Sequence, residues 1–284
     1  MGVITYLKRI KKALALSADV IRFGGINTVN ISSINWNSIL AGKTALITGG
    51  GSGIGFTIAQ KFDACGAKVI LVGRNEDKLK GAIEKIKSEK VSYFVWDISD
   101  VENLSYNLDQ VMNEHGNIDI LINNAGVQPM EFFPNVTEKE WDRIYNINSK
   151  GTFFVSEEMC KRWMAEKNKH NLKKIINIDS QGGFVGATYP YRMSKWDIRG
   201  LTRGLGLKMA SQGVLVNGIA PGVVKTEMQE FSLRQGDNLY CNQNALERVC
   251  LPEEIAELAV YMASDSCNFM VGQTILVDGG ASLK

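Results

Sequence analysis

Lys43-Thr44-Ala45-Leu46-Ile47-Thr48-Gly49-Gly50-Gly51-Ser52-Gly53-Ile54-Gly55 is the stretch on which the fold turns. A short apolar run rich in β-branched residues enters a glycine-rich turn, and a helical period then continues to Ala64. Glycine lets backbone turn tightly and approach a pyrophosphate with no Cβ in the way. The free N–H groups at the start of the following helix favour negative charge there. A glycine-rich loop alone is weak evidence and fits an ordinary tight turn. Its place between a strand and a helix makes it a dinucleotide-site signal.

Outward from this stretch the pattern alternates. Strand-like runs are Lys43–Thr48, Lys68–Val72, Ser92–Trp96, Asp119–Ile122, Lys174–Ile178, Val214–Ile219 and Thr274–Val277. Helical patterns include Ile54–Ala64, Glu76–Ser88, Thr137–Glu166 and Pro252–Ala263. Thr137 and Glu140 have capping-box spacing, and Pro252 suits a first helical turn. Strands that are apolar throughout and joined by helices predict a parallel sheet covered on both faces. The expected fold class is therefore α/β: a single-domain, Rossmann-type, doubly wound parallel sheet of seven strands, spanning 42–284, with a lid around 227–250.

Residues 1–41 differ. Val3, Leu7, Ile10, Leu14, Ala18 and Ile21 recur at helical spacing, and Gly24-Gly25 ends the pattern. This predicts an amphipathic arm that packs on its own body or on a second subunit. The alternative is a basic helix making a peripheral contact with an anionic membrane surface.

Composition narrows the function. The 284 residues are 45% hydrophobic, enough for one sizeable core, and the net charge of +2 argues against a nucleic-acid partner. Five scattered cysteines without metal-type spacing read as reduced thiols in a cytoplasmic protein. With only His115 and His170 available, neither a zinc site nor a Ser-His-Asp triad is expected, so no metal is assigned. No run is long and apolar enough for a transmembrane helix. At the end of the second strand stand Gly73 and Arg74, where an NAD site commonly has an acid for the ribose 2′-OH. A guanidinium can hold a 2′-phosphate bidentately, which favours NADP(H) over NAD(H).

Further along, Thr48-Gly49-x-x-x-Gly53-x-Gly55, Asp97-Ile98, Asn123-Asn124-Ala125-Gly126, Asn148, Ser180, Tyr191-x-x-x-Lys195, Pro221-Gly222 and Val277-Asp278-Gly279-Gly280 follow one another in order. In this the chain resembles the single-domain, roughly 250-residue branch of the short-chain dehydrogenases/reductases, over residues 43–280. Each piece alone is unspecific; the ordered set is not. Tyr191 is the only one of the 8 tyrosines with a lysine four positions on.

The resemblance implies roles. Gly49, Gly51, Ser52, Gly53, Ile54 and Gly55 would cradle the pyrophosphate, and Asp97 and Ile98 would face the adenine. Asn124, Ala125 and Gly126 would line the end of the fourth strand. Pro221 and Gly222 would run along the nicotinamide, with Val224 and Thr226 contacting its carboxamide. Tyr191 would be the acid/base, Ser180 would orient the substrate oxygen, and Lys195 would also hold the nicotinamide ribose. Asn148, preferred over Asn146, would anchor a water leading from Lys195 to solvent. The implied reaction interconverts a carbonyl and a secondary alcohol of a small molecule by hydride transfer. The implied assembly is a homodimer or homotetramer through helices over Ser149–Glu166 and Arg192–Ser211.

Physical chemistry supports the pairing of Tyr191 with Lys195. Four residues apart, they share a helical face. An ammonium about 4 Å from a phenolate, at an effective dielectric near 20, is worth about 4 kcal/mol, or roughly 3 pKa units, and would bring Tyr191 toward neutral pH. One departure stands out: Ser180 precedes Tyr191 by 11 residues where the family more often has 13, and Asp179 replaces the more usual small residue. The Gly182-Gly183 pair could let the shorter loop close. The lid mixes Met228, Phe231, Leu233 and Tyr240 with Arg234, Asn238, Asn242, Gln243 and Asn244, a polarity that points to a polyfunctional carbonyl such as a keto-sugar or keto-acid. Two other readings are weighed. A catalytically silent NADP-binding redox sensor would usually have lost Tyr191 or Lys195. A sugar-nucleotide epimerase or dehydratase would need a C-terminal substrate domain and a different glycine spacing.

Overall fold

A computed structural model describes residues 36–166, 172–226 and 239–283. The expected arm thus lies outside the described residues except for its end, Trp36–Ala41, and so does the 227–238 part of the lid. The described end of the arm is docked: Leu40 is fully buried, its N–H donates to the Cys65 carbonyl at 3.0 Å, and Trp36 Nε1 donates to Glu257 at 2.7 Å.

The strands β1 (Thr44–Thr48), β2 (Lys68–Gly73), β3 (Val91–Val95), β4 (Ile120–Asn123), β5 (Lys173–Ile178), β6 (Val214–Pro221) and β7 (Thr274–Val277) form one sheet. All neighbours are parallel, in the order β3-β2-β1-β4-β5-β6-β7. The helices are α1 (Gly53–Ala64), α2 (Glu76–Ile86), α3 (Leu104–His115), α4 (Glu138–Tyr145), α5 (Thr152–Ala165), α6 (Pro190–Met209) and α7 (Pro252–Ala263). Successive strand residues point to opposite faces, so each strand feeds two cores. Ile47, Ile120 and Ile176 pack with Ile58 and Phe62 of α1 and Val260 of α7. Leu46, Leu121 and Ile175 pack with Leu108 of α3 and Val155, Met159 and Trp163 of α5. The doubly wound α/β sheet is as expected from the apolar strands.

The chain leaves the β3-β2-β1 half and starts the β4-to-β7 half beside β1. At such a reversal the connections after adjacent strands diverge and leave a crevice at the carboxyl ends. This sets Thr48–Gly55 next to Asn123–Gly126. Beneath the crevice, a buried polar ladder ties helices to sheet. Asn123 Nδ2 donates to Ser156 and Asn177, and Asn177 Nδ2 donates to Thr202, at 2.8–2.9 Å.

Two local expectations need correction. The single helix over Thr137–Glu166 is interrupted by a π-helical turn at Asn146–Gly151. Within it Asn148 is drawn inward by bonds to the Val127 backbone, and Gly151 lies where a Cβ would come within 2.8 Å of the Ile98 carbonyl. The Thr137–Glu140 capping box is half formed. Thr137 accepts from the Glu140 N–H, but Glu140 does not reciprocate. Its carboxylate instead accepts from Met130 N and Arg143, and the Thr137 N–H goes to Glu131.

Glycine 206 marks where α6 meets the loop before β7. A Cβ there would lie 2.7 Å from Gly272 Cα, backbone that cannot swing away. Gly206→Ala should lower the unfolding free energy by about 1–3 kcal/mol in urea titrations. Gly81→Ala, in open space on α2, should raise it by up to about 1 kcal/mol.

Candidate active site

The glycine loop is built by close approach. Gly49 and Gly53 take left-handed φ values of 65° and 55°, which disfavour any side chain. A Cβ on Gly49 would meet Ala125 Cα and Asn124 Nδ2 at 2.9 Å, and one on Gly55 would collide with Asn124 and the Gly49 carbonyl. Gly51 packs on Lys78 of α2, and Gly53 faces the Thr226 methyl. Ser52 precedes α1 without capping it by its side chain, so the first-turn N–H groups, including those of Ile54 and Gly55, remain available to an anion. These features fit a dinucleotide pyrophosphate.

Asn124 and Ala125 join the end of β4 to the end of β1. Asn124 Nδ2 donates to the Thr48 and Gly49 carbonyls, both at 3.0 Å. The Asn124 and Ala125 N–H groups both donate to Thr48 Oγ1. Gly126 follows against Asn148. Arg74 extends from the end of β2 with its side chain 65% exposed, in a loose 3.9 Å pairing with Asp97. Ile98 is buried beneath Gly151, so of the pair expected at the adenine only Asp97 presents its side chain outward. On the far side, Pro221 and Gly222 continue from β6 against Asp278, whose carboxylate caps the Gly280 and Ser282 N–H groups. Val224 bridges to Cys250, and Thr226 ends the segment facing the glycine loop.

Ser180, Tyr191 and Lys195 are brought together. Ser180 ends the extension of β5, its hydroxyl accepts from the Gly182 N–H, and it lies near enough to the Tyr191 phenol to act on its ionisation. Lys195, 7% exposed, donates from Nζ to the Ile178 carbonyl at 2.9 Å and sits 5.8 Å from the Tyr191 ring centre. Asn148 is buried beside them, with Oδ1 accepting from Val127 N and Nδ2 donating to Val127 O and Ser194 Oγ. Asn146 is exposed, which supports the choice between the two.

The electrostatics differ from the sequence expectation. Burial pushes the Tyr191 phenol up, the Ser180 hydroxyl pulls against it, and the Asp179 carboxylate adds to the rise. Burial pushes the Lys195 ammonium down, opposed by Asp179. The polypeptide's own groups therefore do not bring Tyr191 toward neutral pH. The pairwise sum counted the ammonium and omitted the desolvation of both partners.

The short Ser180–Tyr191 loop closes by lying flat on α6. Arg192 Nη1, Trp196 Nε1 and Arg199 Nη1 donate in turn to the carbonyls of Gly186, Val185 and Gly183. Arg199 also stacks on Phe184 at 3.9 Å. A Cβ on Gly183 would approach the Lys195 backbone oxygen to 2.9 Å, so this glycine is needed for the contact, and one on Gly182 would press on the Arg192 side chain at 3.2 Å.

Sequence reasoning missed the wall facing this loop. Residues 127–131 are pinned by Asn148 at Val127, by Arg143 at the Gln128 carbonyl and by Glu140 at Met130 N. Along this wall the side chains of Met130, Phe132 and Phe133 are exposed, and Phe132 meets Tyr189 edge to face at 5.0 Å. The inward-looking residue is Glu140, an acid buried beside Ile144 on α4. The lid needs correction as well. Asn244 is buried and bonds to the Arg248 carbonyl, while Asn242 and Gln243 point to solvent, so none of these three argues for a polar substrate.

Asp179 is 4% exposed, and burial raises its carboxyl to about 7. An acid whose folded pKa lies above its unfolded value of about 3.9 contributes stability that is full below that value and is lost as pH rises through about 7. The stabilisation of Asp179→Asn over wild type should therefore grow between about pH 4 and pH 7 and level off above. Melting temperatures of both proteins across pH 4.5–8.5 measure this; a gap that is constant with pH would contradict it.

With this geometry in hand, comparison with known proteins is direct. Residues 43–236 match the short chain dehydrogenase family. The chain is 32% identical to gluconate 5-dehydrogenase of Gluconobacter oxydans, covering 86% of this chain and 96% of that one. It is 30% identical to a 3-oxoacyl-[acyl-carrier-protein] reductase of Aquifex aeolicus, covering 85% and 98%. Among solved structures, a 3-ketoacyl-(acyl-carrier-protein) reductase from Brucella melitensis complexed with NADH matches with a TM-score of 0.78 at 26% identity over 86% and 99%. An actinorhodin polyketide ketoreductase with NADPH matches with a TM-score of 0.76 at 25% identity over 87% and 99%. Family match and fold agree: the chain belongs to the short-chain dehydrogenases, a family of oxidoreductases that bind nicotinamide cofactors.

Proposed function

We propose that the chain is an NADP(H)-dependent oxidoreductase interconverting a ketone and a secondary alcohol, with Tyr191 as acid/base. The observation that carries this reading is the placement of Tyr191 and the buried Lys195 on one face of α6, 5.8 Å from ammonium to ring centre, with Ser180 at the end of β5 beside them. A nicotinamide cofactor, when bound, supplies the hydride and, once oxidised, a positive charge beside the phenol. Ser180 donates a hydrogen bond to the carbonyl oxygen and fixes it against Tyr191. Tyr191 gives its proton to that oxygen as the alcohol forms and takes it back in the reverse direction. Lys195 sets the field at the phenol and reaches toward the ribose. Asn148 holds the Val127 backbone and the α6 face at Ser194 in place, so that protons reach Lys195 along a fixed path. The preference for NADP(H) rests on Gly73 and on the exposed Arg74, which has room to swing from Asp97 onto a 2′-phosphate.

The substrate would be a small carbonyl compound with an apolar or planar flank resting on Met130, Phe132, Phe133 and Tyr189. The named relatives act on a sugar acid and on a carrier-bound oxoacyl group, and the apolar lip favours the second kind of shape. A homodimer or homotetramer is proposed through the outer faces of α5 and α6, where Phe153, Trp196 and Leu207 stand exposed. A cytoplasmic setting is supported by five cysteines that are all free. Among the described residues, no helix is long and apolar enough to cross a membrane.

Tyr191→Phe keeps the ring and removes one oxygen. Turnover should fall by roughly 10²–10⁴, with cofactor affinity nearly unchanged. Tyr189→Phe, two residues away, should leave the chemical step intact. Arg74→Ala should weaken NADPH binding by about 10–100-fold and NADH binding little, the loss of a charge-assisted hydrogen bond of about 1.5–3 kcal/mol. Titration calorimetry and single-turnover kinetics read both. An active Tyr191→Phe enzyme, or equal losses for the two cofactors, would refute the corresponding half.

A further inference from the structure

Residues Asn124–Thr137 join β4 to α4 without a helix or strand of their own. A connection of this length keeps one shape when side chains replace the missing backbone ladder, and long ordered loops of this kind are usually functional. Here Asn148 accepts from Val127 N at 2.9 Å and donates to Val127 O at 3.2 Å. Two residues of α4 hold the next stretch. Glu140 accepts from Met130 N at 2.7 Å, and Arg143 Nη2 donates to the Gln128 carbonyl at 2.7 Å.

Glu140 and Arg143 share a face of α4 and join side-on, Nε to Oε2 at 2.8 Å and Nη2 to Oε1 at 2.9 Å. The carboxylate side chain is 4% exposed and the guanidinium 28%. A buried carboxylate is costly unless it is paired and hydrogen-bonded, and this one is held by Arg143 and the Met130 N–H. The Arg143 guanidinium keeps the Glu140 carboxyl below the usual carboxylate range, so the pair stays charged. To make this tie α4 forgoes half of its capping box, and the Thr137 N–H goes to Glu131. The stretch so held carries Met130, Phe132 and Phe133, all exposed, and Phe132 reaches Tyr189, the residue that begins α6 two positions before Tyr191. Large apolar side chains left in solvent beside a crevice mark a place where a ligand rests.

We propose that the Glu140–Arg143 pair is a specificity-determining clamp, fixing the 127–133 wall where it seats a flat apolar group attached to the reacting carbonyl. It rests on the substrate reading proposed above and gives that reading its positioning residues. Neither residue touches substrate; both act through the backbone that carries Met130, Phe132 and Phe133. When the clamp is broken the wall slackens and no longer seats the flat group. The loss falls on KM for substrates that carry such a group, while Ser180, Tyr191 and Lys195 keep their places. Lysine cannot stand in for Arg143, because a single ammonium cannot bond side-on to the carboxylate and also reach the Gln128 carbonyl in one plane.

The test is NADPH-dependent reduction of acetylbenzoyl and diacetyl, two α-diketones that differ by a phenyl in place of one methyl. It compares wild type, Glu140→Gln, Phe132→Ala and the Phe132→Ala/Glu140→Gln double variant. Wild type should prefer acetylbenzoyl. Glu140→Gln keeps the side chain's shape but turns an amide N–H group toward one of the donors it must accept from. It should raise KM for acetylbenzoyl about tenfold, with kcat for both diketones and KM for diacetyl changing less than about twofold. In the Phe132→Ala background the same change should add little, because the surface it positions is already lost. Glu140→Leu/Arg143→Met, which leaves neither charge unpaired, supplies the result if Glu140→Gln does not fold by circular dichroism. A wild-type ratio of the two KM values in the clamp variants, or equal losses on both diketones, overturns this proposal and leaves the substrate reading standing. A wild type that reduces neither diketone, or shows no preference for acetylbenzoyl, overturns both.

Discussion

At the point where the strand order reverses, Thr48 and Asn124 tie the two halves of the sheet together. Thr48 Oγ1 donates to the Ile122 carbonyl and accepts from the Asn124 and Ala125 N–H groups. Asn124 Nδ2 returns to the Thr48 and Gly49 carbonyls. Five polar contacts thus close the base of the crevice, each worth about 1 kcal/mol net and costly to leave unmade in a buried place. The glycine loop can approach this closely only because Gly49 and Gly55 have no Cβ. Remove the tie and the pyrophosphate cradle, the ends of β1 and β4 and the wall at 127–131 lose their common reference.

The end that carries Ser180, Tyr191 and Lys195 is held by a second device of the same kind. Glycines 182 and 183 allow the turn after Ser180 to lie on α6, and Arg192, Trp196 and Arg199 fasten its carbonyls there. Because α6 also carries Tyr191 and Lys195, one helix sets the hydroxyl, the ammonium and the loop bearing Ser180. Close packing at this place requires burial, and burial works against both charges of the pair.

Much of this was legible in the chain. The seven strands were readable because each is an apolar run bounded by polar or glycine residues, and the crevice because Thr48–Gly55 joins a strand to a helix. The meeting of Tyr191, Lys195 and Ser180 was legible from spacing and from an ordered set of neighbours. The π-turn at Asn146–Gly151 was not legible, because one extra residue per turn leaves the composition of a helix unchanged. Glu140 has capping-box spacing, yet its carboxylate found better partners in Arg143 and Met130 N. Asn244 looked like a pocket residue and serves the Arg248 backbone. In each case the deciding partner came from tertiary packing, which local pattern does not encode.

The central claim is that hydride passes directly between a nicotinamide seated in the β1/β4 crevice and a carbonyl carbon held at Ser180 and Tyr191. NADPH deuterated at either face of nicotinamide C4 tests it, with the alcohol product analysed by mass spectrometry and NMR. The account predicts one deuterium on the carbinol carbon from one of the two labelled faces and none from the other. Carbonyl reduction in which neither labelled face delivers deuterium to that carbon would contradict it.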